Sequence, residues 1–62
     1  MMYELTTNYG GALFSDETDA LNALFLLYSY EFPDKGFDKC EVQKNLKESG
    51  RWDEFPLSLC VS

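Results

Sequence analysis

At 62 residues, with a formal charge of −6 and no histidine, the chain has room for a single domain, residues 1–62, around one small core. Apolar residues supply 45% of it and aromatics 16%, a composition that folds rather than stays disordered. The absence of histidine removes the usual general base, zinc ligand and triad member, and the negative charge repels nucleic acid and anionic membrane while attracting basic surfaces.

Residues 2–8, MYELTTN, alternate, with Tyr3, Leu5 and Thr7 on one side and Glu4, Thr6 and Asn8 on the other, which predicts a strand. Asn8 and the Gly10–Gly11 pair tolerate positive φ and read as a turn, and Ala12–Phe14 suits the returning strand of a β-hairpin. The segment SDETDALNALFLLYSYEFPD, residues 15–34, comes next. Ser15 or Asp16 is suited to cap a helix, and Asp16, Glu17 and Asp19 fall in its first turn, where the helix dipole favours carboxylates. Leu21, Leu24, Phe25 and Tyr28 follow helical spacing, and Ala20, Ala23, Leu27 and Tyr30 widen the apolar stripe. A helix over 16–31, ended by Phe32–Pro33, is predicted; a buried strand over Ala23–Tyr30 competes on composition, but length and the acidic cap favour the helix.

PDKGF reads as a turn. A second helix is expected from Asp38, with Glu41 three residues on as a variant of the capping box, Val42 and Leu46 on the core with Cys40 nearby, and Lys39, Gln43, Lys44 and Lys47 in solvent. Gly50 provides its stop. RWDEFP is read as a connector in which Trp52 closes one end of the core. PLSLCVS alternates again, with Leu57, Leu59 and Val61 on one face, Ser58 and Cys60 on the other, and Pro56 at the start of the strand, where proline is tolerated. The expected fold is α+β in the order β-β-α-α-β, a three-stranded antiparallel sheet packed against two helices.

Candidate chemistry is sparse. Cys40 and Cys60 lie too far apart in sequence for a thioredoxin or zinc-ribbon pair; free thiols in a reducing compartment are favoured over one bridge. Gly10–Gly11 lacks the spacing and lysine of a phosphate loop. Asp16 with Asp19, and Asp34 with Asp38, lack the dense oxygen ligands of a calcium loop; capping and turn chemistry account for Asp16, Asp34 and Asp38. No catalytic residue, metal or cofactor is therefore predicted, and the chain is not read as an enzyme. Lys39, Lys44, Lys47 and Arg51 are interleaved with Glu41, Glu48 and Asp53, which argues against direct nucleic-acid binding. The longest apolar run, Ala23–Tyr28, is too short for a bilayer, and the N-terminus lacks a basic region followed by an apolar run, so a cytoplasmic location is expected.

The charge is one-sided. Residues 1–34 hold six acids (Glu4, Asp16, Glu17, Asp19, Glu31, Asp34) and no base, whereas residues 35–62 hold five of each. The helix over 16–31 is also apolar around more than half its circumference, so a second side must be covered. Either the chain self-associates, as a homodimer or complex subunit, through Phe25, Leu26, Tyr28 or Tyr30, or it docks on another protein. In the second case Tyr28 and Tyr30 are the anchors, and Asp16, Glu17, Asp19, Glu31 and Asp34 engage a basic site. Carboxylates along a rigid helix can occupy the groove a protein uses for DNA phosphates. In size, charge and inferred element order the chain loosely resembles the small acidic phage-encoded anti-CRISPR and anti-restriction proteins, some of them DNA mimics. TTNYGG and LKESGRW look like the hairpin and last-helix regions of one anti-CRISPR type. The resemblance implies an inhibitor acting in the cytoplasm of a host cell on a CRISPR effector or other nucleic-acid-binding enzyme; it carries over no individual functional residue.

Overall fold

A computed structural model describes all of residues 1–62. Strand β1 (Tyr3–Thr7) turns through Asn8 and Tyr9 into β2 (Gly10–Phe14); helices α1 (Glu17–Glu31) and α2 (Lys39–Ser49) follow; β3 (Arg51–Glu54) and β4 (Leu57–Val61) form a second hairpin. The four strands make one antiparallel sheet in the order β2-β1-β4-β3. Both helices lie on one face of it, α1 over β1 and β2, and α2 over β3 and β4. No helix is long and apolar enough to cross a membrane.

The α+β class, the two helices and the antiparallel sheet match the expectation; the strand count does not. RWDE is strand β3, not a connector, and the sheet has four strands rather than three. Its residues alternate about Trp52, which faces the core and pairs with Leu59, while Arg51 and Asp53 face out opposite Cys60 and Ser58. The turn is also displaced: Asn8–Tyr9 makes it, and Gly10 and Gly11 belong to β2.

The helix ends follow from local chemistry. Asp16 caps α1, its carboxylate accepting from the Thr18 N–H at 3.4 Å, and Phe32, followed by Pro33, closes the helix with its N–H on the Tyr28 carbonyl at 2.8 Å. Asp38 caps α2 through the Glu41 N–H at 3.1 Å. Gly50 ends that helix at φ 75°, a left-handed conformation that glycine adopts without a Cβ penalty. The core brings together Tyr3 and Leu5 of β1, Ala20, Leu21, Leu24 and Tyr28 of α1, Val42 and Leu46 of α2, and Trp52, Leu57 and Leu59 of the second hairpin. The opposite face of the sheet, bearing Glu4, Thr6, Ser58 and Cys60, has no helix over it. Cys40 and Cys60 are free thiols.

A candidate protein-binding face on helix α1

Successive residues of an α-helix are rotated by about 100°, and α1 uses that rotation to present two apolar sides. Ala20, Leu21, Leu24 and Tyr28 face the sheet. Leu26 and Tyr30 face away from it and are 69% and 78% exposed. Phe25, on the flank toward α2, packs its ring 5.7 Å from that of Phe37 and is half covered. Leu27, on the opposite flank, borders a groove of about 300 Å³ shared with Leu5, Gly10 and Ala12 of the first hairpin.

Tyr28 belongs to the inner side. It is 7% exposed, and its ring sits in an aromatic cluster with Phe32, Phe37 and Trp52 at centroid distances of 4.8, 5.3 and 6.2 Å. Its hydroxyl reaches the Glu54 carboxylate, 3.3 Å from Oε1 and 3.4 Å from Oε2. Burial, and secondly the Glu54 charge, push the Tyr28 phenol above its ordinary pKa. Of the two tyrosines expected as anchors, the structure thus leaves only Tyr30 accessible.

The acids divide in the same way. Glu17 is turned inward: its carboxylate accepts from the Tyr3 hydroxyl at 3.4 Å and from Gln43 Nε2 at 3.1 Å, tying α1 to β1 and α2. Burial and then Glu17 raise the Tyr3 phenol. Asp16, Asp19 and Asp34 are exposed, and Glu31 is half-buried. Asp19 and Glu31 stand about 18 Å apart along the helix at its 1.5 Å rise per residue, with Leu26 and Tyr30 between them.

None of these four carboxylates has a basic partner. The two ion pairs of the chain both use β3: Lys35 with Glu54 at 3.0 Å and Arg51 with Asp53 at 2.8 Å. Lys35 is the neighbour of Asp34 in sequence, yet its ammonium turns to Glu54, which raises its pKa, and lies 5.2 Å from the centre of the Phe32 ring. The Arg51 guanidinium, and secondarily the Ser58 hydroxyl, hold Asp53 below the usual carboxylate range. The charge imbalance of the first 34 residues therefore persists in space as an acidic α1 with an apolar middle. Nowhere do three acidic or thiol groups converge into an arrangement that could hold a metal ion.

Sequence reasoning named Leu26 for self-association but not as an anchor for a partner protein, although its position opposite Leu24 and Tyr28 on the helical wheel carries that signal. No family model matches the chain, and no curated protein or solved structure is significantly similar to it.

Proposed function

We propose that this chain is a small acidic inhibitor, without enzymatic activity, that docks α1 on the basic nucleic-acid-binding surface of a partner protein. One observation carries the reading. Leu26 and Tyr30 on the outer side of α1 lie between Asp16 and Asp19 at the start of the helix and the half-buried Glu31 and the loop residue Asp34 at its end, and no base in the chain neutralises those carboxylates. An apolar centre with a charged rim is the anatomy of a protein interface. Tyrosine is among the residues that dominate binding energy, and rim charges steer the encounter. Lys/Arg side chains that normally neutralise phosphates are the complementary surface, with counterion release on both sides contributing to binding. A CRISPR effector or a restriction enzyme, acting in the cytoplasm of a host cell, offers such a surface.

Capture of partners from the host by the tagged chain, followed by titration of the captured protein, tests the proposal. The expected result is a nucleic-acid-binding protein that the chain and nucleic acid cannot occupy together, with affinity that falls steeply as salt rises. A partner that holds nucleic acid and the chain simultaneously, or whose affinity ignores salt, overturns it.

A further inference from the structure

We infer that the free edge of β2 is a homodimer interface, through which two copies of this chain join their sheets into one of eight strands. The first ground is backbone accounting. Met2 and Ser62 exchange both backbone hydrogen bonds, at 3.1 and 2.8 Å, so Met2, and with it Glu4 and Thr6 at alternate positions, bond toward β4. Tyr3, Leu5 and Thr7 then bond toward β2, to Phe14, Ala12 and Gly10. The N–H and C=O groups of Gly11 and Leu13 are left pointing out of the sheet.

The second ground is the contrast between the two edges. By the same alternation, the outward backbone groups of β3 belong to Arg51 and Asp53, whose side chains form an exposed ion pair. Charged side chains are how proteins guard a sheet edge against pairing. The β2 edge, Gly-Gly-Ala-Leu-Phe, carries no charge and no proline, and four of its five residues are exposed. Its side chains contribute none of the chain's charge of −6, so no carboxylate of one β2 strand would oppose a carboxylate of the other.

The third ground is self-complementarity. An antiparallel β2–β2 pairing centred on Ala12 sets Gly11 of each copy against Leu13 of the other, which satisfies all the outward groups with four hydrogen bonds. It also sets Gly10 against the partner copy's Phe14 on the inner face. A Cβ at Gly10 would meet nothing within 4 Å, and Gly10 and Ala12 line the open groove beside Leu27, which leaves room there for the exposed edge of the partner copy's Phe14, whose ring packs partly on its own core. On the outer face the exposed Leu13 of one copy lies over Gly11 of the other. With strands about 4.8 Å apart and α1 seated over β1 and β2, the two α1 helices come to lie roughly 10 Å apart, at helix-packing distance. They run antiparallel and meet through Ala23 and Leu27, with the Asp16 end of each beside the Glu31 end of the other, so association should strengthen as salt screens these acids. Leu26 still faces away from the sheet and stays open in the dimer, whereas Tyr30, three residues past Leu27 and seven past Ala23, borders the helix contact, so Leu26 is the residue that separates this inference from the partner surface proposed above.

Sedimentation equilibrium and amide exchange of the chain alone decide the matter. A mass of twice 7.1 kDa is expected as concentration rises from micromolar to millimolar, together with slowing of exchange at the Gly11 and Leu13 amides, which are open to solvent in the monomer. Leu13→Pro deletes only an outward N–H, a position where an edge strand accepts proline, and Leu13→Lys adds the missing edge charge; both are expected to give folded monomers by circular dichroism. A chain that stays at 7.1 kDa throughout, a dimer that forms without protecting Gly11 and Leu13, or a dimer that survives both substitutions and is lost on Leu26→Lys overturns the inference. Should both variants unfold, the exchange of the two amides in the unaltered chain still decides.

Discussion

The Tyr28 hydroxyl lies 3.3 Å from Glu54 Oε1, joining the last turn of α1 to the end of β3 across 26 residues of sequence. Glu54 also receives Lys35 at 3.0 Å from the loop between the helices. One carboxylate thereby fastens three parts of the chain, and the Phe32, Phe37 and Trp52 rings pack around the same phenol. This cluster backs the side of α1 that faces α2, where Phe25 stays half exposed, and the outer side of the helix, with Leu26 and Tyr30, is its most open apolar surface.

Stability should fall on the alkaline side, and Tyr28 should account for part of the fall. Burial and neighbouring carboxylates raise the phenols of Tyr28 and Tyr3, so their folded values lie above the unfolded value of about 10. The stabilisation held in the protonated forms is present below that pH and is lost as pH rises through the folded values. Lys35, raised chiefly by its hydrogen bond to Glu54, loses its contribution in the same direction. Urea midpoints measured upward from neutral pH should decline more gently in Tyr28→Phe than in the unaltered chain. Identical declines would show that this hydroxyl contributes nothing.

The acid limb has a different owner. Asp53 is held low by Arg51, so its contribution is present above the unfolded carboxylate value of about 3.9 and disappears as pH falls through the depressed folded value. Asp53→Asn should flatten the decline of the urea midpoint in that acidic window and leave the alkaline limb unchanged. A change confined to the alkaline limb would contradict the assignment.

How much of this was legible in the sequence depended on how local the determinants are. The caps at Asp16 and Asp38, the stop at Gly50 and the inward faces of β1 and β4 rest on residues within a few positions of one another, and each stands where the sequence places it. Strand β3 was missed because only Trp52 in RWDE is apolar and proline follows within two residues; a charged edge strand looks like a loop until its partner is known. The fate of Tyr28 was ambiguous for the same reason. Helical spacing puts it on the core stripe and composition makes it a candidate anchor, and Glu54, far along the chain, decides between them. Glu17 looked like another dipole acid, but the fold brings Tyr3 and Gln43 to its carboxylate.

The core is small enough that one truncation should unfold it. Leu24 has no exposed surface, and Leu→Ala at such a site costs about 2–5 kcal/mol through lost burial and a residual cavity. Domains hold roughly 0.05–0.15 kcal/mol per residue, which puts this chain within the same few kcal/mol. Leu24→Ala should therefore be largely unfolded at 25 °C by circular dichroism, and a cooperative melt near the unaltered midpoint would refute the burial argument.

A milder lesion tests the start of α2. Asp38→Ala removes the acceptor of the Glu41 N–H and should cost about 1 kcal/mol, whereas Asp38→Asn, which keeps a side-chain oxygen, should cost far less. For a domain of this size the alanine change corresponds to a drop of roughly 4–8 °C in melting temperature. Equal melting temperatures for the alanine and asparagine variants would mean that the cap contributes through charge or not at all.

The partner surface makes a prediction in two halves that must separate. Asp16→Asn, Asp19→Asn, Glu31→Gln and Asp34→Asn together keep an N-cap oxygen at position 16 and remove four of the charges that lack a partner within the chain. If each meets a base on the partner at about 0.2–1 kcal/mol, affinity should fall by roughly fourfold to several-hundredfold, and the salt dependence should flatten with it. Tyr30→Ala, with its aromatic side chain 78% exposed on the free chain, should weaken binding about tenfold or more while leaving the salt slope as it was, because it removes apolar contact and no charge. The slopes therefore assign the roles independently of the size of either loss. Four neutralised carboxylates with an unchanged slope would show that the acids of α1 only solubilise the chain, and a Tyr30→Ala variant that binds normally would place the interface elsewhere.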